Sequence, residues 1–333
     1  MSKTIYDIAK AGNISPATVS LALRDSAVVS EKTKLKVKAL AKELNYTPNT
    51  IARSLVLNKT NIIGVVAQDI SHPYMADIIN GIQEEAAKHG YLVLFNSISY
   101  ENDTSLKALV ERRVDGLIIL PITRISDDIK RLSGTGFPLV LISRHLPGVE
   151  TDYVVCDNTR GACEMTNHLV KIGHKNIAYI AYSSGDTTSD DRIAGYKKAL
   201  EENGLPFKEE LFFNVRGEDS NTGAVLSAIL GMNEKPTAIF ASGDTFAIRI
   251  MHELRQRKIR IPEDIAVVGF NNLSFSATTY PPLTTVDHFG NKMGAQAITL
   301  LIDRLKNPGS SPQHVIIEPK LIIRESCGVN LKK

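Results

Sequence analysis

Two patterns along the 333 residues predict the fold class: a small all-α helix-turn-helix domain followed by a two-lobed α/β body of parallel sheets covered by helices. Up to about residue 46, apolar residues recur at helical spacing in three short runs separated by capping and turn residues. From Ile62 onward, short near-continuous apolar runs alternate with longer amphipathic stretches, as strands buried on both faces of a parallel sheet do. The length exceeds what a single hydrophobic core usually serves, so more than one domain is expected. The divisions read from the pattern are 1–46 for the helical domain, 47–60 for a hinge helix and linker, and 61–333 for the body.

The helical elements follow from local signals. Thr4 can cap a helix over about 5–11, with Ile5, Ile8 and Ala9 at helical spacing and Asp7 in the first turn, where a carboxylate meets the positive helix end. Gly12 and Asn13 end it, both tolerating positive φ. Ser15 caps the next helix and Pro16 takes its first position, where a missing N–H costs nothing. Val19 and Leu23 face inward, leaving Ala17, Thr18, Ser20 and Leu21 near the exposed start. A third helix runs from a Ser30 cap to about Leu44, with Leu35, Val37, Leu40, Ala41 and Leu44 as its apolar face and Lys32, Lys34, Lys36, Lys38 and Lys42 outside.

Charge and composition narrow the function. Residues 1–60 carry ten Lys and Arg against four Asp and Glu, so the formal +3 of the whole chain conceals a basic end and a body of −3. A basic end suits a polyanion. A short turn between two helices, small polar residues opening the second, and basic flanks together point to a DNA major groove. Phosphate contacts would come from Thr4, Ser15, Ser20 and the lysines, and base reading from Pro16, Ala17 and Leu21; Ile5, Tyr6, Thr18 and Arg24 complete the candidate surface. Cys156, Cys163 and Cys327 have no paired metal spacing, which suits a reducing compartment. No apolar h-region or stretch of eighteen apolar residues occurs, so a cytoplasmic location without membrane contact is expected.

Residues 4–60 resemble the lactose-repressor/galactose-repressor (LacI-type) transcription regulators, through Thr4, Asp7, Ile8, Ala9, Gly12, Asn13, Ile14, Ser15, Thr18, Val19, Ser20, Leu21, Ala22 and Leu23. Where that family commonly has Arg after Thr-Val-Ser, this chain has Leu21, which cannot make a bidentate contact to guanine but can meet a thymine methyl. Pro48 breaks the third helix and Asn49 can cap a short new one through Leu57, carrying Ala52, Arg53 and Leu55. The resemblance implies that this segment folds on DNA, pairs with its dimer mate and wedges Leu55 into the minor groove. It also implies a homodimer on an inverted-repeat operator, hence a bacterial cytoplasmic protein that is nucleoid-associated when bound.

In the body, strands are expected at 62–67, 91–96, 116–120 and 138–143, with helices 73–89, 103–112 and about 125–133 between them. A second set has helices 158–172, 190–203, 221–231 and 244–255 and strands 176–181, 211–215, 238–241 and 265–270. Ten parallel strands do not sit comfortably in one sheet, so two lobes are expected. A tail of extended run 283–286, helix 288–306 and strands 315–318 and 321–324 completes them. The body resembles periplasmic sugar-binding proteins, which implies a periplasmic-binding-protein-like domain with lobe one at about 62–156 plus 287–317 and lobe two at about 157–286 plus 318–333.

A ligand in such folds lies beyond the carboxyl ends of the strands, here between the lobes. The loops there supply His72, Tyr74, Met75, Arg144, Arg192, Asp219, Asp244 and Asn271 as candidate effector contacts. Arg192 matches the Arg of the family's Arg-x-x-Gly-Tyr run, and its fixed donors suit sugar hydroxyls or a purine; a salt bridge to Asp190, Asp191 or Asp244 is the structural alternative. Tyr74 and Met75 fall where relatives place a stacking group. Asn271 stands where relatives carry a carboxylate, and Asp219 where they carry an aromatic. No Gly-x-Gly-x-x-Gly, P-loop, nucleophile elbow or HExxH occurs, so neither an enzyme, a cofactor nor a metal is expected, and the eight histidines default to structural roles, His72 excepted.

The reading is a DNA-binding repressor set by a sugar, polyol or sugar phosphate. The alternatives are a carbon-catabolite regulator activated by a phosphorylated carrier protein, a purine-responsive repressor and, in another class, a stand-alone sugar-binding module.

Overall fold

The computed structural model describes residues 3–46, 59–67, 70–97, 106, 110, 114–120, 126–182, 187–215 and 222–331. The chain divides into two compact units, Met1–Thr60 and Asn61–Lys333. The predicted fold class, a small helical domain followed by a two-lobed parallel α/β body, is the observed one.

The first unit holds α1 (Ile5–Gly12), α2 (Pro16–Leu23) and α3 (Glu31–Glu43). Ile8, Ala9, Val19, Ala22, Val29 and Val37 form its buried centre, with Leu23, Leu40, Ala41 and Leu44 packed on the rim. The α3 face is rotated from the one expected: Leu35 is 68% exposed and Lys34 is 8% exposed. Lys34, Val37, Ala41 and Leu44 recur at helical spacing, so Lys34 lays its methylene stem on the core edge while its ammonium reaches Glu31 at 2.6 Å. Leu35, one residue on, is turned about 100° away.

The second unit opens with β1 (Ile62–Ala67), α4 (Pro73–Lys88), β2 (Leu92–Ser97), β3 (Gly116–Ile119), α5 (Ser126–Gly134), β4 (Leu139–Ile142) and β5 (Asp152–Cys156). It continues with α6 (Asn158–Lys171), β6 (Ile177–Tyr182), α7 (Thr187–Glu202), β7 (Phe212–Val215), α8 (Thr222–Leu230), β8 (Ala238–Ala241), α9 (Asp244–Gln256) and β9 (Ala266–Val268). It ends with β10 (Thr285–Asp287), α10 (Gly290–Lys306), β11 (His314–Ile317) and β12 (Lys320–Ile322). A six-stranded parallel sheet in the order β11-β5-β4-β3-β1-β2 forms the first lobe, and a four-stranded parallel sheet β7-β6-β8-β9 the second. Strands β10 and β12 pair antiparallel, and single bridges Val268–Thr284 and Asn271–Asp287 attach β10 beside β9. The chain therefore crosses between sheets after Cys156, after Asp287 and after Ile317.

Strand β5 is absent from the sequence reading, because Asp152 at its head looks like a loop residue. In the fold Arg304 grips that carboxylate through Nε at 2.9 Å and Nη2 at 2.8 Å, and the Gln313 N–H donates to it at 2.7 Å. A buried acid becomes a strand residue because its partners arrive from far along the chain. Helix α10 lies close on α4: a Cβ at Gly294 would fall 2.2 Å from the Ile78 carbonyl, so only glycine permits that approach.

Candidate functional site

Each unit carries one candidate surface. In the helical unit, Thr4 and Asp7 form a reciprocal capping box at the head of α1, with the Thr4 N–H donating to Asp7 at 2.7 Å. Those bonds to Thr4 hold the Asp7 carboxyl below its ordinary value. Asn13 closes α1 at φ 49°, and Lys36 donates to the Gly12 carbonyl at 2.8 Å. Ser15 Oγ accepts from the Thr18 N–H at 3.0 Å, and Pro16 is the first helical residue of α2. These caps fix the start of α2 with Thr4, Ser15, Pro16 and Ala17 exposed and Thr18 and Ser20 half-buried. Tyr6 is 70% exposed. Arg24 donates to Ser20 Oγ at 2.7 Å and to its carbonyl at 3.1 Å. Ile5 and Leu21 are half-buried against the core, leaving part of each side chain outward. Asn49, Ala52, Arg53 and Leu55, the hinge candidates, lie outside the described residues.

In the second unit the strand ends of both sheets converge with the crossing segments. Tyr74, at the head of α4, hydrogen-bonds Ser143 at the end of β4 and stacks on His288, ring centroids 4.7 Å apart at 20°. Thr188 of α7 donates to the Ser143 carbonyl at 3.2 Å, joining the lobes at that point. Arg192 is buried: its Nε donates to Asn158 at 2.9 Å, Nη1 donates to the Ser242 carbonyl, and the guanidinium lies 3.8 Å over the Phe270 ring. Helix α7 begins at Thr187, earlier than expected, so Asp190, Asp191 and Arg192 lie in the helix and not in a loop before it. That is what carries the Arg192 guanidinium inward.

Asn271 adopts φ 114°, an unusual value for a side-chain-bearing residue, and its carbonyl accepts a hydrogen bond from His288 Nδ1 at 2.8 Å. Two atoms here are buried with no hydrogen-bond partner among the described residues: Asn271 Nδ2 and His288 Nε2. Burial holds the His288 pKa down to about 4, so the ring is neutral at ordinary pH.

Three candidates have structural duties. Met75 is 2% exposed and belongs to the hydrophobic core of the first lobe, one residue past the helix start that presents Tyr74. Asp244 is wholly buried and braces the loop after β9: it accepts from the Leu273 N–H at 2.9 Å, from Ser276 Oγ at 2.7 Å and from Thr285 Oγ1. Burial pushes its pKa up to about 6 against those bonds. A Cβ at Gly269 would fall 2.3 Å from its carboxylate, so glycine there makes room for the brace. His72 caps α4, its Nδ1 accepting from the Tyr74 N–H at 3.2 Å. Arg144 is half-buried beside Ser143, and Asp219 lies outside the described residues. The structure thus gathers Tyr74, Arg192 and Asn271 with Ser143 of the strand-end loop that sequence reasoning also offers, and adds Asn158, Phe270 and His288, which it missed. His288 could have drawn notice only as a polar residue following the short apolar run 283–286. Among the described residues, no group of three or more His, Cys, Asp or Glu is placed to hold a metal ion, and no helix is long and apolar enough to cross a membrane.

Comparison with known proteins agrees with this geometry. Residues 4–49 match the model of bacterial regulatory proteins of the lacI family, and residues 166–327 that of the periplasmic binding protein-like domain. The chain is 33% identical over 332 residues to the HTH-type transcriptional regulator DegA of Bacillus subtilis (strain 168), covering 98% of both chains. It is similar to the transcriptional regulator CelR in complex with cellobiose, with TM-score 0.72 and 27% identity over 97% of this chain and 99% of that one. It is also similar to the Lac repressor bound to ONPG in the repressed state, with TM-score 0.84 and 25% identity over 98% of this chain and 100% of that one. A capped helix-turn-helix unit joined to a two-lobed body, matched over nearly the full length, makes this chain a member of the lacI family of bacterial regulatory proteins, a DNA-binding transcriptional regulator and not an enzyme.

Proposed function

We propose that this regulator is a homodimeric repressor of an inverted-repeat operator, controlled by a sugar or polyol bound between the lobes of its body. The observation that carries the effector half is the gathering of Tyr74, Arg192, Asn271 and His288 where both sheets end, with two buried polar atoms left without partners. A buried donor or acceptor without a partner costs about 1–3 kcal/mol, so a site that keeps two of them is arranged for something that supplies the missing bonds. An aromatic wall, a buried guanidinium and uncharged polar groups suit a molecule rich in hydroxyls. The cellobiose held by the relative CelR is of that class.

On the DNA side, the exposed start of α2 enters the major groove, with Pro16, Ala17 and Leu21 meeting base edges and Thr4, Ser15 and Ser20 meeting phosphates. Segment 47–60 serves as hinge, and Leu55 as a minor-groove wedge. Two-fold pairing runs through first-lobe helices within 70–90 and the exposed part of segment 278–290, about Tyr280. Effector binding changes how the lobes sit, and its differential affinity for the two postures sets the direction of the response.

The test begins with selection of duplexes from a random pool by the intact protein, followed by binding titrations with and without sugars. Two-fold symmetric winners, and an affinity that shifts with an unphosphorylated sugar, are the expected result. Leu55→Ala should weaken the selected duplex far more than random DNA. Response to a phosphorylated carrier protein or to purines alone would replace the effector reading, and unsymmetric winners bound by a monomer would end the dimer reading.

A further inference from the structure

The polarity of the unspent atoms specifies more than the presence of a ligand. His288 Nδ1 lies 2.8 Å from the Asn271 carbonyl oxygen, which can only accept a hydrogen bond. The ring proton is therefore on Nδ1, and Nε2 carries a bare lone pair: it is a hydrogen-bond acceptor. The ring is 1% exposed, held under Tyr74, and Nε2 has no partner. A Cβ at Gly290 would stand 3.0 Å from Nε2, so a side chain at that position would crowd the atom. The neighbouring Asn271 contributes the complementary deficit, a buried Nδ2 donor without an acceptor. The Tyr74 hydroxyl bonds Ser143 and neither of these atoms.

We propose that His288 is the specificity-determining residue of the effector site: its Nε2 accepts a hydrogen bond from one neutral hydroxyl of a sugar or polyol, while Asn271 Nδ2 donates to an oxygen of the same ligand. The inference rests on the effector reading above and narrows it. A hydroxyl both donates and accepts, so one group or two adjacent ones meet the pair. A phosphate or carboxylate only accepts at neutral pH and would set its charge against the Nε2 lone pair. The phosphate group of a sugar phosphate is thereby excluded from contact with Nε2.

The experiment is calorimetric titration of the intact protein with D-ribose, D-glucose, D-galactose and cellobiose, then with ribose 5-phosphate, glucose 6-phosphate, adenine and guanine. For a sugar that binds, its deoxyfluoro analogues are titrated position by position, because fluorine replaces the hydroxyl without being able to donate. One position should cost the natural protein about 10- to 100-fold in affinity. His288→Phe, which keeps a stacking ring and removes the acceptor, should bind the parent sugar weaker by a similar factor and lose nothing further at that position. His288→Gln, which restores an acceptor, should recover part of the affinity. Should His288→Phe not fold, the 15N shift of Nε2 in histidine-labelled natural protein gives the same answer: it should move with the sugar and stay still with the critical analogue. A sugar that binds with every fluoro analogue equally affected in both proteins, or with an unmoved Nε2 shift, overturns the His288 contact and leaves the effector reading standing. Heat from purines or phosphates with none from any sugar overturns both.

Discussion

The helical unit and the α/β body solve the same problem, displaying polar chemistry on a stable frame, in opposite ways. In residues 3–46 the polar groups proposed to face DNA lie at the surface, and the bonds that position them are local: Thr4 with Asp7, Ser15 with Thr18, Arg24 with Ser20. In the body the site is buried, and the bonds that position it span long stretches of chain: Tyr74 with Ser143, Arg192 with Asn158, His288 with Asn271. Local bonds cost little when broken, because water can replace them. Buried long-range bonds are expensive to break and tie the site to the integrity of the fold. The unit that reads DNA can therefore change its surface chemistry with small penalties, whereas the effector site can be retuned only by residues that keep the interior satisfied.

The largest expected effect tests the expensive half. Asp152→Ala should destabilise the body by about 3 kcal/mol, because it takes the carboxylate from the half-buried Arg304 guanidinium and frees the head of β5. A shift of only a few tenths in chemical denaturation would mean that the body is no more dependent on remote pairs than the helical unit is on its caps. Asp152→Asn together with Arg304→Met, which removes both charges, should recover most of the loss.

Next comes a pH experiment on two buried groups with opposite signs. Asp244 has a folded pKa raised to about 6, so the folded state holds its proton more tightly than the unfolded one. Its contribution is largest near pH 4 and is lost as pH rises toward 6. His288 has a folded pKa lowered to about 4, so its contribution is present above about 6.5, the ordinary histidine value, and is lost as pH falls. Each shift of about two units corresponds to roughly 3 kcal/mol, and over pH 4–6 the two slopes oppose each other. The body of the natural protein should hence show a shallow dependence from this pair. Asp244→Asn should expose a stability that falls on acidification, and His288→Phe one that rises. Identical slopes in the two variants would refute the pairing. Nothing comparable is expected of the helical unit, whose shifted carboxyls Asp7 and Asp25 are half-buried and exposed respectively and not buried in a core.

The same contrast explains what the sequence could say. Caps, turns and apolar spacing are local quantities, so helices 5–12 and 16–23 and most strands of the body were legible from neighbours in the chain. Where burial depends on a distant partner, local reading failed. Strand β5 was hidden because Asp152 needs Arg304, and Lys34 was placed outside because its stem packs on the core while its charge reaches Glu31. In the effector site, Arg192 and Tyr74 were visible through family resemblance. His288 was not, since nothing beside it in sequence announces that its ring lies beneath Tyr74. Asp244 was legible as a strand-end carboxylate, but its three hydrogen-bond donors come from residues 273–285, and these turn a candidate ligand into a brace.

The smallest expected effect tests the inexpensive half. Ser15→Ala removes the side-chain oxygen that accepts from the Thr18 N–H at 3.0 Å, at a helix start whose Ser15 and Pro16 are exposed. Water can take over that N–H, so the loss should be about 1 kcal/mol in the melting of the helical unit, with the transition of the body unchanged. Ser15→Asp should keep the cap and its stability, since a carboxylate accepts the same bond and favours the helix N-terminus. It should nonetheless weaken DNA binding, because it sets a negative charge against the phosphates that Ser15 is proposed to meet. Stability and binding would then separate at a single exposed residue, which is what a site positioned by local bonds allows. If Ser15→Asp bound DNA as the natural protein does, the phosphate contact at this cap would be withdrawn. If Ser15→Ala shifted the body transition as well, the two units would not be energetically separate.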